Sequence, residues 1–274
     1  MRGVNDLVSI AISLHYTIAI RVRNHIEVGM NLFISILVGA IAGVVINYFA
    51  DVLPIRRRFT RPICLNCAKP YSWRDYFFSF RCKNCGQKTS IRVILVILLS
   101  MAACSALIYF PLGNLSFWAT VPIFVFLGTI LVIDIEYRIV LKETSYFGLA
   151  FMLLYGILLH GLLPTIFGGA AGFAIMMGLY FLGILFNKVA GKIRKQEIDE
   201  VALGFGDVYV TTFLGFFAGW PNIIAVLLLA ILASGVFSLL YILVKIIARR
   251  YHTFSAIPYT PFLILAAISI FYLL

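Results

Sequence analysis

The chain has 274 residues, of which 62% are hydrophobic and 12% are charged, and its mean hydropathy is +1.03. This composition excludes a soluble globule and predicts an integral membrane protein in contact with lipid. The net charge of +11 would suit a nucleic-acid partner, but the basic residues are distributed over alternate loops. We therefore expect no nucleic-acid partner.

Eight apolar stretches approach the length of about 20 residues that a spanning helix needs. They cover roughly residues 30–50, 92–111, 115–133, 145–163, 165–186, 208–219, 222–244 and 258–274. The sixth is short and contains Gly215 and Gly219, so a tilted or broken helix and a count of six to eight spans stay open. The sequence predicts an all-α polytopic membrane protein with about eight transmembrane helices.

The placement of basic residues predicts the orientation. Ten of the 22 Lys and Arg residues lie within residues 56–92, the others lie in alternate later loops or before residue 30, and the intervening turns have none. By the positive-inside rule, the basic loops face the cytosol and both ends lie outside. Arg21 and Arg23 conflict with this arrangement, so we expect residues 1–29 to be an interfacial helix or to precede a true start at Met30.

Four of the five cysteines form two CxxC pairs with fourteen residues between them: Cys64, Cys67, Cys82 and Cys85. Two such pairs on tight turns supply four thiolates to one tetrahedral ion, as in a zinc ribbon, and Gly86 suits the second turn. Disulfides are the alternative, but they rarely persist in the reducing cytosol predicted for this basic loop. A complete Cys₄ shell predicts a structural zinc ion without an open catalytic position.

Two acidic residues lie where an apolar stretch meets a basic loop. Asp134 closes the apolar run 124–133, and Asp207 follows Gly204-Phe205-Gly206 and opens the sixth stretch. A carboxylate at this depth is costly to ionise and usually serves a site or a partner. If the two face each other, one carboxyl holds a proton while the other is ionised, and such a pair can activate water against an amide. Gly204 and Gly206 would let a peptide or a helix approach Asp207.

An alternative is that both carboxylates pair with Arg138 or Lys142 as ordinary loop residues. Glu136, two residues after Asp134, is either a second acid or a solvated loop residue. The four histidines are scattered, so the sequence offers no Ser/His or Cys/His arrangement to compete with the aspartates.

Several motifs, in order over residues 30–274, resemble the bacterial type IV prepilin peptidases, which are membrane aspartic proteases of the GxGD kind. The matching segments are residues 45–54, the paired CxxC motifs followed by Ser90-Ile91-Arg92, Ile133-Asp134-Ile135-Glu136, residues 202–208 and Ile257-Pro258-Tyr259-Thr260-Pro261-Phe262. The resemblance implies that Asp134 and Asp207 are the catalytic pair. It also implies cleavage of a short basic leader from prepilins or pseudopilins at the cytosolic face of the bacterial inner membrane.

The resemblance also suggests the organisation of the chain. We expect three segments: an extension at 1–29, an N-terminal region at 30–111 and a membrane-embedded peptidase domain at 112–274. The Cys₄ loop, at 51–91, lies within the N-terminal region. Relatives with a four-cysteine loop typically also methylate the new N-terminus with S-adenosylmethionine. The resemblance therefore implies this second cofactor, although no glycine-rich loop for it is visible in the sequence.

Two positions depart from the family pattern. Tyr209 stands where a lysine is frequent, and Ile139-Val140-Leu141-Lys142 stands where an Ile-Pro-Asp-like ending is usual. These departures leave an alternative function open, a catalytically altered zinc-ribbon assembly factor of a pilus or secretion system. An ion-coupled transporter is a weaker alternative, because the acids lie at the ends of spans and not at mid-membrane.

Overall fold

The computed structural model describes residues 31–62, 90–113, 115–194, 204–248 and 258–273, with isolated positions between 64 and 86. Eight α-helices occupy these residues: α1 Asn31–Arg56, α2 Ile91–Tyr109, α3 Phe117–Tyr137, α4 Lys142–His160, α5 Leu162–Arg194, α6 Phe205–Ala218, α7 Asn222–Ile247 and α8 Thr260–Leu273. The predicted all-α class is confirmed. The predicted extension at 1–29 lies outside the described residues.

Each predicted apolar stretch corresponds to one helix. Among the described residues, α1, α2, α3, α5 and α7 are long and apolar enough to cross a membrane. Helices α6 and α8 are apolar but have only 14 residues each, and α4 opens with the polar residues 142–145. The orientation of the bundle in the membrane stays a prediction.

The short helix α6 is largely enclosed by its neighbours. Ten of its 14 residues are buried, and Phe213 and Phe217 have no exposed surface. The Phe213 ring meets Phe126 of α3 edge-on at 5.5 Å, and the Phe217 ring stacks on Phe271 of α8 at 4.3 Å between centroids. Aromatic packing of this kind fixes α6 between the helices on either side.

Glycines allow α4 and α5 to touch the backbone of α6. A Cβ atom on Gly156 of α4 would lie 2.1 Å from the carbonyl oxygen of Phe216, and one on Gly168 of α5 would lie 2.4 Å from that of Gly215. No side chain fits at these separations, so the helices meet through small residues, as membrane helices commonly do. This close packing fixes the position of α6 and hence of its N-terminus.

Arg92 links three helices at the end of the bundle that carries the first basic loop. Its guanidinium donates to Asp51 of α1 and to Glu136 of α3, and the Tyr76 hydroxyl donates to the other oxygen of Asp51 at 2.7 Å. Burial and the charge of Asp51 raise the pKa of the Tyr76 hydroxyl, so it remains a donor. The network therefore ties the cysteine loop to the ends of α1, α2 and α3.

We expect Gly168→Ala to destabilise the protein by about 1–3 kcal/mol, because the added methyl must displace the backbone of α6. Gly178→Ala in the same helix is the matched control, since no atom lies within 4 Å of the added Cβ. Thermal unfolding of both variants in detergent measures the difference. A Gly168→Ala variant as stable as the parent would contradict the close helix contact.

Candidate functional site

Asp207 is held by the turn that starts α6. Gly204 is the N-cap residue in extended conformation, and Asp207 is the third residue of the helix. The backbone N–H of Gly204 donates to Oδ2 of Asp207 at 3.3 Å, and the backbone N–H of Asp207 donates to the Gly204 carbonyl at 3.0 Å. This is half of a capping box, because glycine has no side chain to complete it. The positive end of the helix dipole also favours the carboxylate at this position.

Asp134 lies in the last turn of α3 and is 5% exposed. Arg138 ends the helix in the left-handed conformation, with φ of 55°, and its N–H donates to the backbone carbonyl of Asp134 at 2.9 Å. The side-chain Oδ2 of Asp134 is buried and has no hydrogen-bond partner within the described ranges. One oxygen of this carboxyl is therefore available to a reactant.

The first residue of α8 brings the two carboxyl groups together. The hydroxyl of Thr260 donates to Oδ1 of Asp207 at 3.0 Å. The hydroxyl and backbone N–H of Thr260 also lie near the carboxyl group of Asp134. Asp134 lies close enough to Asp207 for the two charges to interact. The C-terminus of α3 and the N-termini of α6 and α8 thus converge on one acidic pair. The catalytic role of that pair stays a prediction.

The motif around the two prolines contributes more to the site than its sequence suggested. Sequence reasoning noted Tyr259 and Thr260 only as part of a family motif, although both carry hydroxyls at the start of an apolar helix. The Tyr259 hydroxyl is buried, lies within reach of the Asp207 charge and has no hydrogen-bond partner among the residues described. In the sequence, the only indication of a role in the site was that two residues with hydroxyl groups lie between Pro258 and Pro261.

The two glycines of the GxGD string differ in their surroundings. A Cβ on Gly206 would lie 2.6 Å from Cβ of Val140, in the segment between α3 and α4. At Gly204 the nearest atom to such a Cβ is Oδ2 of Asp207 at 3.7 Å, an ordinary contact. Gly206 therefore permits a close approach to Val140, whereas no atom in the described part of the chain requires glycine at 204.

The cations near the site do not neutralise the pair. Within the described ranges neither Asp134 nor Asp207 forms an ion pair, and Arg138 contributes only a nearby positive charge to Asp134. Glu136 is partly exposed and pairs with Arg92. It is therefore neither a simple solvated loop residue nor a member of the acidic pair.

Tyr209, the departure after the second aspartate, belongs to an aromatic row. Its ring meets Phe205 at 5.3 Å and Tyr146 of α4 at 6.0 Å, both edge-on, and Phe205 meets Tyr180 of α5 at 5.6 Å. Residues two apart on a helix do not share a face, so Tyr209 points away from the carboxyl group of Asp207. The other departure, at Val140, lies directly against Gly206.

The four loop cysteines form a separate cluster. Their sulfur atoms all lie within 4.8 Å of one another, with Cys64 and Cys85 at 3.6 Å and Cys67 and Cys82 at 3.8 Å. These separations exclude disulfides, which need about 2.05 Å. They match the sulfur–sulfur edge of roughly 3.8 Å in a tetrahedron with bonds of about 2.3 Å to zinc. The four cysteines can therefore hold a metal ion such as zinc.

The second CxxC pair has the backbone of a tight metal-binding turn. The N–H of Gly86 donates to the carbonyl of Cys82 at 2.9 Å, and Gly86 has a φ of +68°. Glycine adopts this left-handed conformation without the strain that other residues incur. Cys104, in contrast, is buried alone within α2.

These features define a polytopic helical membrane protein with a paired carboxyl site and a four-thiol loop. The sequence model of the type IV leader peptidase family matches residues 121–239, which include both aspartates. The predicted resemblance to this family is therefore confirmed over this segment.

Two curated relatives carry the name prepilin leader peptidase/N-methyltransferase, one from Aeromonas salmonicida and one from its strain A449. Each is 28% identical to this chain over 193 residues, which is 68% of this chain and 60% of the relative. The chain thus spans less than two thirds of the length of the curated relatives that it matches. No solved structure matches the chain.

We expect the purified protein to carry about one tetrahedral metal ion per chain, because four thiolates complete such a shell. Cys67→Ser and Cys82→Ser should each reduce the metal content strongly, whereas Cys104→Ser, outside the cluster, should retain it. Elemental analysis by mass spectrometry measures the ratio. Equal metal content in all three variants would contradict the site.

We expect Gly206→Ala to lower thermal stability, because the new methyl group would overlap Val140. Combining it with Val140→Gly should recover most of the loss, since that change removes the Cβ and both methyl groups that lie against the new side chain. Gly204→Ala is the matched control and should be tolerated. A Gly206→Ala variant that Val140→Gly does not improve would show that another contact constrains this position.

Proposed function

We propose that the protein is an aspartic endopeptidase that removes the basic leader from type IV prepilins or pseudopilins at the cytosolic face of the bacterial inner membrane. The match of residues 121–239 to the type IV leader peptidase family supports leader-peptide cleavage. The observation that carries the catalytic assignment is the convergence of Asp134 and Asp207 on Thr260. Two carboxyl groups in contact with a common hydrogen-bonding residue are suited to sharing a proton.

The proposed reaction is hydrolysis of one amide bond. An ionised carboxylate of the pair takes a proton from water, and the water oxygen bonds to the scissile carbonyl carbon. The other carboxyl gives its proton to the leaving nitrogen as the carbon–nitrogen bond breaks. The leader then carries the new carboxyl group and the mature protein carries the new amine. The unpartnered Oδ2 of Asp134 and the buried hydroxyl of Tyr259 are two polar atoms that can contact water or the substrate carbonyl.

The position of the pair in the bundle suits a substrate that is partly in the membrane. Asp134 is near the end of α3, within two residues of Glu136, and Glu136 pairs with Arg92 at the start of α2. The pair therefore lies at the end of the bundle that carries the first basic loop. A leader that stays in the cytosol, followed by an apolar helix in the bilayer, would present its scissile bond at this level.

We further propose that the four-thiol cluster holds a structural zinc ion. The sulfur separations support zinc, and four protein thiolates leave no position for a reacting water. N-methylation of the new N-terminus, with S-adenosylmethionine as methyl donor, is the second part of the proposed activity. It is supported by the resemblance of the cysteine loop to that of the family and by the name of the two relatives.

We expect Asp134→Asn and Asp207→Asn each to reduce leader removal by at least about a hundredfold, because general acid–base catalysis contributes about 10²–10⁴. Membranes containing each variant and a co-expressed prepilin measure cleavage. Glu143→Gln is the matched control, since Glu143 is an exposed carboxylate in the first turn of α4. Mass spectrometry of the mature N-terminus reports cleavage and methylation in the same sample.

Processing that continues unchanged in both asparagine variants would overturn the proposed activity. A parent protein that cleaves nothing, but whose cysteine variants impair pilus or secretion-system assembly, would favour the catalytically altered assembly factor. The departures at Val140 and Tyr209 are the features that support this second reading.

A further inference from the structure

Thr260 is completely buried at the point where α8 begins. Its hydroxyl donates to Oδ1 of Asp207 at 3.0 Å, while the backbone N–H of Gly204 donates to Oδ2 of the same carboxylate at 3.3 Å. Both oxygens of Asp207 are therefore occupied by protein donors. This arrangement fixes the plane of the carboxylate relative to α6 and α8.

Two groups of the same residue also lie near Asp134. Its hydroxyl has a single hydrogen, and because that hydrogen is directed at Asp207, the oxygen lone pairs remain free to accept from a protonated Asp134. Its backbone N–H is one of the amides at a helix N-terminus without an intrahelical acceptor, and it lies near the Asp134 carboxyl group. Thr260 can thus bind one ionised and one protonated carboxyl at the same time.

The contact differs from those of the other buried threonines. In the described residues, Thr120, Thr129, Thr165, Thr211 and Thr212 each donate to the backbone carbonyl four residues earlier in the chain. That bond satisfies a hydroxyl locally and has no consequence beyond the helix. Thr260 donates to a side-chain carboxylate 53 residues away. The need of a buried hydroxyl for a hydrogen bond does not by itself explain why Thr260 donates to the Asp207 carboxylate.

The backbone around Thr260 is well suited to hold it in place. Pro258 and Pro261 flank it, and a proline ring fixes its own φ near −65°. The N–H of Phe262 closes the first turn on the carbonyl of Tyr259 at 3.0 Å, and Leu263 and Ile264 behind it are fully buried. The hydroxyl is therefore presented by a restrained turn anchored in the core.

We propose that Thr260 is the positioning residue of the aspartate pair: it sets the distance between the two carboxyl groups and the distribution of one proton between them. The inference rests on the proposed peptidase function and deepens it. Thr260 acts through Asp134 and Asp207 and makes no bond to the substrate. Its contribution belongs to the chemical step, and substrate binding should be unaffected.

The test replaces the hydroxyl while preserving shape. Thr260→Val removes the hydroxyl, and Thr260→Ser retains it. Thr211→Val is the matched control, because the Thr211 hydroxyl donates to the backbone oxygen of Asp207 at 2.8 Å and not to its carboxylate. Thr260→Val should lower kcat for leader cleavage by about 10- to 100-fold, the effect of losing a hydrogen bond to a charged group, with KM unchanged. Thr260→Ser and Thr211→Val should stay within about threefold of the parent. A fall in Thr211→Val equal to that in Thr260→Val, or full activity in Thr260→Val, would overturn the proposal.

A second measurement does not depend on cleavage. Dicyclohexylcarbodiimide modifies protonated carboxyls in apolar surroundings, and mass spectrometry of membranes treated over a range of pH gives the labelled fraction of Asp207. The loss of a hydrogen-bond donor to ionised Asp207 favours the protonated form of Asp207. Labelling of Asp207 in Thr260→Val should therefore extend to higher pH than in the parent, Thr260→Ser or Thr211→Val. Identical labelling curves in all four proteins would refute the positioning role. A parent protein that fails to cleave prepilin while Thr260→Val shifts the labelling would reject the peptidase function and retain the contact.

Discussion

The constraint on which the site depends is the burial of two carboxyl groups side by side. Each group loses hydration in the apolar bundle, and two negative charges at short range repel each other. The protein meets this cost with hydrogen-bond donors: the N–H of Gly204 at the start of α6 and the hydroxyl of Thr260 at the start of α8, where the N–H of Thr260 also lies near Asp134. The positive ends of two helix dipoles therefore lie next to the pair, and they stabilise negative charge without supplying a titratable cation.

This arrangement requires α6 to be placed with little freedom, because a small displacement of its N-terminus would separate Asp207 from Thr260. Direct backbone contacts at Gly156 and Gly168 supply that precision. A short helix of 14 residues is otherwise poorly anchored, since it cannot rely on contacts along the whole thickness of the bundle. The close packing of α4 and α5 thus serves the acidic pair as well as the general stability of the fold.

Sequence alone predicted the helices, the cysteine cluster and the two aspartates, because each depends on a local signal: a long apolar run, a repeated CxxC spacing, or an acid at the edge of such a run. It did not predict Thr260 as a partner of Asp207, because a threonine at the start of an apolar stretch has no local feature that distinguishes it from one bonded to its own helix. It also treated Gly204 and Gly206 alike, although only Gly206 has a neighbour, Val140, that excludes a side chain. Such information arises from contacts between segments distant in the chain.

Asp134 and Glu136 show how the fold separates the acidic pair from structural ion pairing. They lie two residues apart on α3 and so point to different faces of the helix. Glu136 pairs with Arg92, which also pairs with Asp51, so this guanidinium binds two carboxylates outside the acidic pair. A cation bound directly to Asp134 or Asp207 would favour two ionised carboxylates and remove the proton that the leaving nitrogen needs.

The neutral Tyr209 is consistent with the same requirement, since its ring lies in the aromatic row with Phe205 and Tyr146 and adds no charge beside the pair. The Arg92 network also contacts the cysteine loop through Tyr76, so the metal-binding segment is connected to the end of α3 by paired charges. The loop can therefore restrain the helix that carries Asp134 without placing a positive charge against it. Segregating the cations in this way leaves two hydrogen-bonded acids able to share one proton, which is the condition that the proposed hydrolysis needs.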